Sequence, residues 1–249
     1  MNQIIIHPEE LDAGQRVVLT DRRAEHVLRV LGAKPGDTVK IGLLGGLRGY
    51  GEICYVGEGK VSLQCRFDVP ALVRTGITLV VALPRPKVVR RLFAPLAACG
   101  VETVIFTNAS KVERVYFDTH WLQPVHYEPL CMEGLEQSGE THLPEVRIAK
   151  RLKPLVEDEL SHWEGSKYAL HPGGAACPAL AIRPRWPVLL AIGPEGGWID
   201  YEIDLFRAHG FTCVTLGERV LRSDVAIYTM VGILHGLNLQ ERRCEQSTT

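Results

Sequence analysis

The residues of this chain best equipped for chemistry lie between Val188 and Leu237. Val188–Ile192 runs into Gly193-Pro194-Glu195-Gly196-Gly197, and a helical pattern follows. Further on, Phe211–Leu216 runs into Gly217-Glu218-Arg219-Val220-Leu221-Arg222-Ser223-Asp224 and then a long apolar helix. Strand-to-helix turns of this kind expose backbone N–H groups and suit a small polar ligand. Glycine lets the backbone come close to such a ligand, and Pro194 stiffens the approach. The first turn is no phosphate loop, because Gly-Lys-Ser/Thr does not follow. It is no dinucleotide fingerprint either, because Gly-x-Gly-x-x-Gly is absent. A tight connection with no ligand is the plainer alternative. In the second turn, Arg219 and Arg222 could hold phosphate or fix Asp224, or be two solvated arginines. Asp224 suits the positive end of the helix dipole with or without a catalytic task. Ser223 reads as the N-cap of the last helix, and Asp200 as the N-cap of the helix after Gly197.

Turns need a frame to hold them. From Gly76 onward, Ile77–Leu83, Val101–Phe106, Val146–Ala149, Tyr168–His171, Val188–Ile192 and Phe211–Leu216 read as buried strands. Helical patterns at 87–99, 119–137, 154–163, 200–209 and 223–240 alternate with them. That alternation predicts an α/β fold with a mostly parallel sheet covered on both faces. In the helix at Lys87–Cys99, Pro95 predicts a kink and Gly100 suits the position just past the end. Pro124 and Pro129 count against the helix at 119–137. The last helix is apolar nearly all round: Val225, Ala226, Ile227, Met230, Val231, Ile233, Leu234 and Leu237. It predicts burial on every side. Gly232 and Gly236 would admit a second helix, so it reads as either a central core helix or a core plus homodimer interface. Residues 1–70 differ. Arg16–Thr20, Thr38–Gly42, Tyr50–Val56 and Lys60–Phe67 are strand-like, and a short helix at Ala24–Val30 ends at Gly32. Short strands and glycine turns predict a small β-barrel. Pro70 and Arg74–Gly76 mark the boundary, and Ser247-Thr248-Thr249 reads as a frayed tail.

With 249 residues the chain is long enough for one large domain or two modest ones, and 46% apolar with 23% charged residues is ordinary for a globular protein. A net charge of −1 provides no global field toward nucleic acid, so such binding would need local patches. Three basic groups are candidates: Arg22, Arg23 and Arg29 beside His26; Arg85, Lys87, Arg90 and Arg91; and Arg147, Lys150, Arg151 and Lys153. They form either solvated faces or a discontinuous RNA footprint, with few aromatics among them for base stacking. Seven cysteines without a Cys-x-x-Cys pair argue against a zinc ribbon and fit a reducing cytoplasm. No signal pattern opens the chain, and the apolar run Val225–Leu237 is shorter than the roughly 20 residues a span requires. A soluble cytoplasmic protein is expected.

Gly193-Pro194-Glu195-Gly196-Gly197-Trp198, a helix ending at Gly210-Phe211, and Leu216-Gly217-x-Arg219-Val220-Leu221-Arg222 together resemble the bacterial 16S rRNA uridine-N3 methyltransferases of the SPOUT class. His26–Leu31 with Pro35-Gly36-Asp37 looks like that family's PUA-like barrel, and Glu136-Gln137-Ser138-Gly139 resembles another of its motifs. The likeness spans nearly the whole chain. It implies a trefoil-knotted α/β domain over 76–242 and a PUA-like RNA-binding barrel over 1–70. It also implies an obligate homodimer through the C-terminal domain, 16S rRNA of the small subunit as target, and no metal. S-adenosylmethionine would lie against Leu170, His171, Ile192, Gly193, Pro194, Glu195, Gly196, Gly197, Leu216, Gly217, Arg219, Val220 and Leu221. Arg222 or Arg219 would stabilise charge on the uracil, and Asp224 or Glu195 would orient that arginine or accept the proton. Arg22, Arg23, His26, Arg29, Arg85, Lys87 and Arg90 would contact RNA. The chain departs from the family pattern at Pro84-Arg85-Pro86-Lys87, at Glu140 and at Ser223-Asp224-Val225, so the cofactor turns are kept better than the RNA-facing groups. Two rivals follow: methylation of another rRNA or tRNA nucleotide, and a non-catalytic RNA-binding ribosome-assembly factor. A dehydrogenase-like protein is disfavoured by the missing dinucleotide turn.

Overall fold

Apolar pattern sorts the strands into two sheets. The computed structural model describes residues 2–172 and 177–246, so the expected tail at 247–249 lies outside the described residues. The first sheet has the order β1-β3-β4-β5-β2. Its strands are β1 (Ile4–Ile6), β2 (Arg16–Leu19), β3 (Thr38–Leu43), β4 (Arg48–Gly57) and β5 (Lys60–Val69). All its pairings are antiparallel except β1 with β3. Alternation in β2, β4 and β5 puts Val17, Leu19, Ile53, Val61 and Leu63 inside and charged residues outside. Among the described residues β1 and β2 are the two edges, so the sheet curls around its core without the closure a full barrel has.

The second sheet has seven strands, all parallel, in the order β10-β12-β9-β11-β6-β7-β8. These are β6 (Ile77–Ala82), β7 (Thr103–Thr107), β8 (Glu145–Ala149), β9 (Ser166–Leu170), β10 (Cys177–Pro178), β11 (Val188–Ile192) and β12 (Thr212–Thr215). The central strands β6 and β11 are buried at every position, as a sheet covered on both faces requires. Helices α2 (Pro86–Ala98), α3 (Pro124–Ser138), α5 (Asp200–Ala208) and α6 (Ser223–Gln246) lie between the strands in sequence.

Several element ends differ from expectation for identifiable reasons. Pro124 starts α3 instead of interrupting it, because a proline at the first helical position gives up an N–H that has no partner there. The helix expected at 154–163 is a composite over Leu152–His162 that starts as α4 (Leu152–Pro154) and continues as π and then 3-10 turns. The short helix near residue 24 begins as α1 (Arg22–Glu25), capped by Asp21, and continues as a π turn over His26–Val30. Gly100 does sit past the end of α2, with φ +65°. Ile199, not Asp200, is the N-cap of α5, and Asp200 is the first helical residue. Ser223 is likewise inside α6, and the Ala226 N–H bonds the Arg222 carbonyl.

The alternation pattern missed β1, as it did the two-residue β10. Ile4 and Ile6 pack into the first core while Ile5 packs into the second. A strand buried on both faces shows no alternation, and three residues are too few to stand out. The segment 136–141 then ties the sheets together. The Asn2 and Gln3 N–H groups both donate to the Glu136 carbonyl at 2.8 and 3.1 Å, and the Gly45 N–H donates to the Thr141 carbonyl at 2.8 Å. Arg22 grips the buried Glu136 carboxylate with two bonds of 2.7 and 2.9 Å.

The final helix is not buried all round. Ala226, Ile227, Met230, Val231 and Leu234 face the core, whereas Val225 is 41% and Leu239 59% exposed. No heavy atom lies within 4 Å of where a Cβ on Gly232 or Gly236 would stand.

Candidate active site

Parallel strands bring their C-terminal ends to one edge of a sheet, where loops can converge. Here β9, β11 and β12 are neighbours, and the loops after them enclose a cleft of about 250 Å³. Leu170 and His171 come from the first loop. Ile192, Gly193, Pro194, Glu195, Gly196 and Gly197 come from the second, and Leu216, Gly217, Arg219, Val220 and Leu221 from the third. The residues expected to hold the cofactor at both turns and after β9 therefore share one cavity, whereas the catalytic candidates Arg222 and Asp224 flank its lining residue Ser223 without lining it themselves. Pro172, Trp198, Thr215, Ser223 and Ala226 complete its wall, and sequence reading had not assigned them to it. Only Trp198 carried a signal, standing directly after the glycine pair.

The backbone at these loops is specialised. Gly197 and Gly217 have φ of +70° and +101°, which side-chain-bearing residues rarely adopt. The Gly197 N–H closes a turn onto the Pro194 carbonyl at 2.8 Å. Buried Glu202 braces the same loop, accepting from the Ile199 N–H at 2.9 Å and from the Ser110 N–H at 2.6 Å. Lys111 Nζ donates to the Gly196 carbonyl at 2.6 Å. The loop after β7 is thus part of the support, and nothing in its sequence announced that.

Three buried polar atoms on the cleft residues have no protein partner: His171 Nδ1, Trp198 Nε1 and Ser223 Oγ. Buried donors and acceptors are normally satisfied, so three orphans lining one cavity mark a place for a polar ligand. Burial holds the His171 imidazole below its ordinary value, with Arg207 adding to the effect and Asp200 opposing it.

At the rim, Asp224 is buried and fixed. Arg222 donates to it through Nε at 3.2 Å and a terminal nitrogen at 2.7 Å, and Arg91 adds a contact of 3.0 Å. The Val225 N–H bonds the same carboxylate at 3.0 Å. The Arg222 hydrogen bonds hold the Asp224 carboxyl below its usual range, against the opposing effect of burial. Both its oxygens are occupied, which suits holding two guanidinium groups and not taking up a proton. Glu195 and Arg219 are both exposed and both line the cleft.

The basic groups fare unequally. Arg23 is buried, bonded to Asp21, to Glu10 and to the Ile5 carbonyl, and so is a fastener of the first sheet instead of an exposed phosphate contact. Arg22 spends its guanidinium on Glu136. His26 is half-buried with Nε2 unpartnered, and Arg29 pairs with Glu25 on the surface. Arg85 and Lys87 are exposed, whereas Arg90 lies over the Trp121 ring at 5.2 Å. Arg147 pairs with Glu159 and Lys153 with Glu157, while Lys150 and Arg151 are exposed. Among the described residues no cluster of three or more metal-ligating side chains occurs, and no helix is long and apolar enough to cross a membrane.

A family model described as an RNA methyltransferase domain matches residues 73–235. The chain is 28% identical to Ribosomal RNA small subunit methyltransferase E of Treponema pallidum, over 91% of this chain and 87% of that one. It is 26% identical to Ribosomal RNA small subunit methyltransferase E 1 of Borreliella burgdorferi, over 91% and 94%. Its fold matches the crystal structure of the Neisseria gonorrhoeae Ribosomal RNA small subunit methyltransferase E bound to S-adenosyl methionine, with a TM-score of 0.74 at 22% identity, covering 95% and 98% of the chains. It also matches a probable rRNA-methyltransferase from Porphyromonas gingivalis, at 0.74 and 21% identity over 96% and 99%.

Proposed function

The chain belongs to the RNA methyltransferase domain family, and from that premise we propose that it transfers a methyl group from S-adenosylmethionine to N3 of a uridine in 16S rRNA of the small ribosomal subunit. The observation that carries this reading is the cleft where the loops after β9, β11 and β12 meet, three of whose lining residues, His171, Trp198 and Ser223, carry a buried polar atom without a protein partner. Those atoms and the exposed loop amides fit an adenosine and an amino-acid carboxylate. When bound, S-adenosylmethionine supplies an electrophilic methyl group, and every remaining task falls to the chain.

Loss of the N3 imide proton puts negative charge on the uracil oxygens, and that charge is neutralised as N3 takes the methyl group, leaving the sulfur as a neutral thioether. Arg222, clamped by Asp224 beside the cleft residue Ser223, offers a fixed positive charge for that anion, and Arg219 lines the cleft itself. Glu195 is the better proton acceptor, because Asp224 has both oxygens engaged. On the RNA side, Arg85, Lys87 and Arg29 remain exposed for phosphate, with His26 beside Arg29.

The reading has two functional units, 1–70 and 76–242. Two separate sheets with their own cores support this. A PUA-like curled sheet and a trefoil knot in the second unit go with the family resemblance. A homodimer through α6 is supported by the exposed Val225 and Leu239 and the open space over Gly232 and Gly236. A cytoplasmic location fits a ribosomal RNA substrate.

The test is transfer of tritiated methyl groups to small subunits lacking the modification, followed by nucleoside identification. N3-methyluridine is the expected product. A different methylated nucleoside moves the target. Neither transfer nor calorimetric binding of S-adenosylmethionine would leave a non-catalytic assembly factor.

A further inference from the structure

A second cleft, of about 400 Å³, lies between the first sheet and the end of α3. We propose that it seats one nucleotide of the single-stranded RNA substrate, its base on Tyr50 and its phosphate between Lys40 and Arg48. The inference rests on the RNA-modifying reading above and adds a subsite remote in sequence from the methyl-transfer loops.

Three observations carry it. The first is composition: among the described residues, the only charged ones lining the cleft are Lys40 and Arg48, both cationic, although the chain as a whole has a net charge of −1. Phosphate is the complementary charge. The second is the row formed by strand register. Lys40 pairs across β3 and β4 with Tyr50, and Tyr50 pairs across β4 and β5 with Arg66. All three are exposed, Tyr50 at 45%. A ring flanked by cations on the open face of a sheet is the arrangement that stacks a base while holding its backbone. Asp68 pairs with Arg66 at 2.8 Å, and neither residue lines the cleft.

The third observation is that the site is built. Between Arg48 and Tyr50 the β4–β5 register shifts by one residue, so that Phe67 and Asp68 together face Gly49. A Cβ on Gly49 would stand 1.8 Å from the Arg66 carbonyl oxygen, so only glycine permits this bulge. Arg48 Nε donates to the Pro70 carbonyl at 2.9 Å, which fixes the side chain and leaves its terminal nitrogens for a ligand. Asn2 is anchored through Nδ2 to the Gln137 carbonyl at 2.7 Å, and Gln137 and Ser138 bring further polar groups to the far wall. The Gln137 side-chain amide is placed there to meet the edge of a stacked base, while the Ser138 hydroxyl is held within the chain by the Leu135 carbonyl and the Glu140 N–H.

The experiment measures affinity of the full chain for small ribosomal subunits lacking the modification over a salt series, together with calorimetric binding of S-adenosylmethionine. Tyr50→Ala is expected to weaken RNA binding about 10-fold, while Tyr50→Phe binds as wild type. Lys40→Gln is expected to flatten the dependence of affinity on salt by about one ion. Affinity for S-adenosylmethionine stays unchanged in all three, which reports an intact fold. RNA affinities within twofold of wild type, with an unchanged salt slope, overturn the subsite and leave the methyltransferase reading standing. A wild-type chain that does not bind the subunits overturns both.

Discussion

Asp224 is where two elements meet on one carboxylate. Arg222 belongs to the loop entering α6 and Arg91 to α2, and Asp224 holds both. The basic clusters and the Arg222–Asp224 spacing were plain from the sequence, but Arg91 on that carboxylate was not, since 133 positions of chain separate Arg91 from Asp224. Removing charge from the transition-state side should be costly: Arg222→Ala is expected to lower kcat by about 10²–10³-fold with S-adenosylmethionine affinity intact. Asp224→Asn should also lower kcat, with a smaller change in KM, because the arginines remain but lose their clamp. Full turnover in Arg222→Ala, measured by methyl transfer, would remove the role assigned to it. The same carboxylate gives a pH signature. Its folded pKa lies below the ordinary 3.8, so its ionised form stabilises the fold above that value. That contribution fades as pH falls through the lowered pKa. The Tm difference between wild type and Asp224→Asn should therefore be largest near neutral pH and vanish in acid.

Among elements, strands whose apolar run is continuous or cleanly alternating were legible, and β11 matches its expected bounds. The illegible parts share a cause, which is that tertiary contacts decided them. β1 is short and serves two cores. The segment Leu152–His162 changes helical form along its length, and both helix starts at the cleft lie one residue from the expected cap. The bracing of the Gly193–Gly197 loop by Glu202 and Lys111 depends on partners distant in sequence. Close packing of α2 on α3 at Gly134 was equally hidden. A Cβ there would lie 2.1 Å from the Ala94 carbonyl oxygen, so the backbones must part to admit any side chain. Gly134→Val is expected to cost about 1–3 kcal/mol, read as a Tm lowered by roughly 2–4 °C per kcal/mol. An unchanged melting curve would show that the helices separate freely.

At the scale of the molecule, an apolar helix face and two glycines stand open on α6. Light scattering is expected to give twice the chain mass, and Leu239→Glu to shift it toward the single chain. A wild-type protein running as a monomer at micromolar concentration would count against the dimer. The joint between the sheets makes a second demand. Arg22→Ala leaves the buried Glu136 carboxylate without its partner and is expected to cost about 1–3 kcal/mol in urea unfolding. The 136–141 segment is bonded to the first sheet and its flanking residues through Asn2, Gln3, Arg22 and Gly45, which fastens that sheet to the end of α3. If the first sheet grips RNA as proposed, this joint works like a caliper, and substrates whose target uridine lies at a different reach from the gripped stretch are expected to be methylated more slowly.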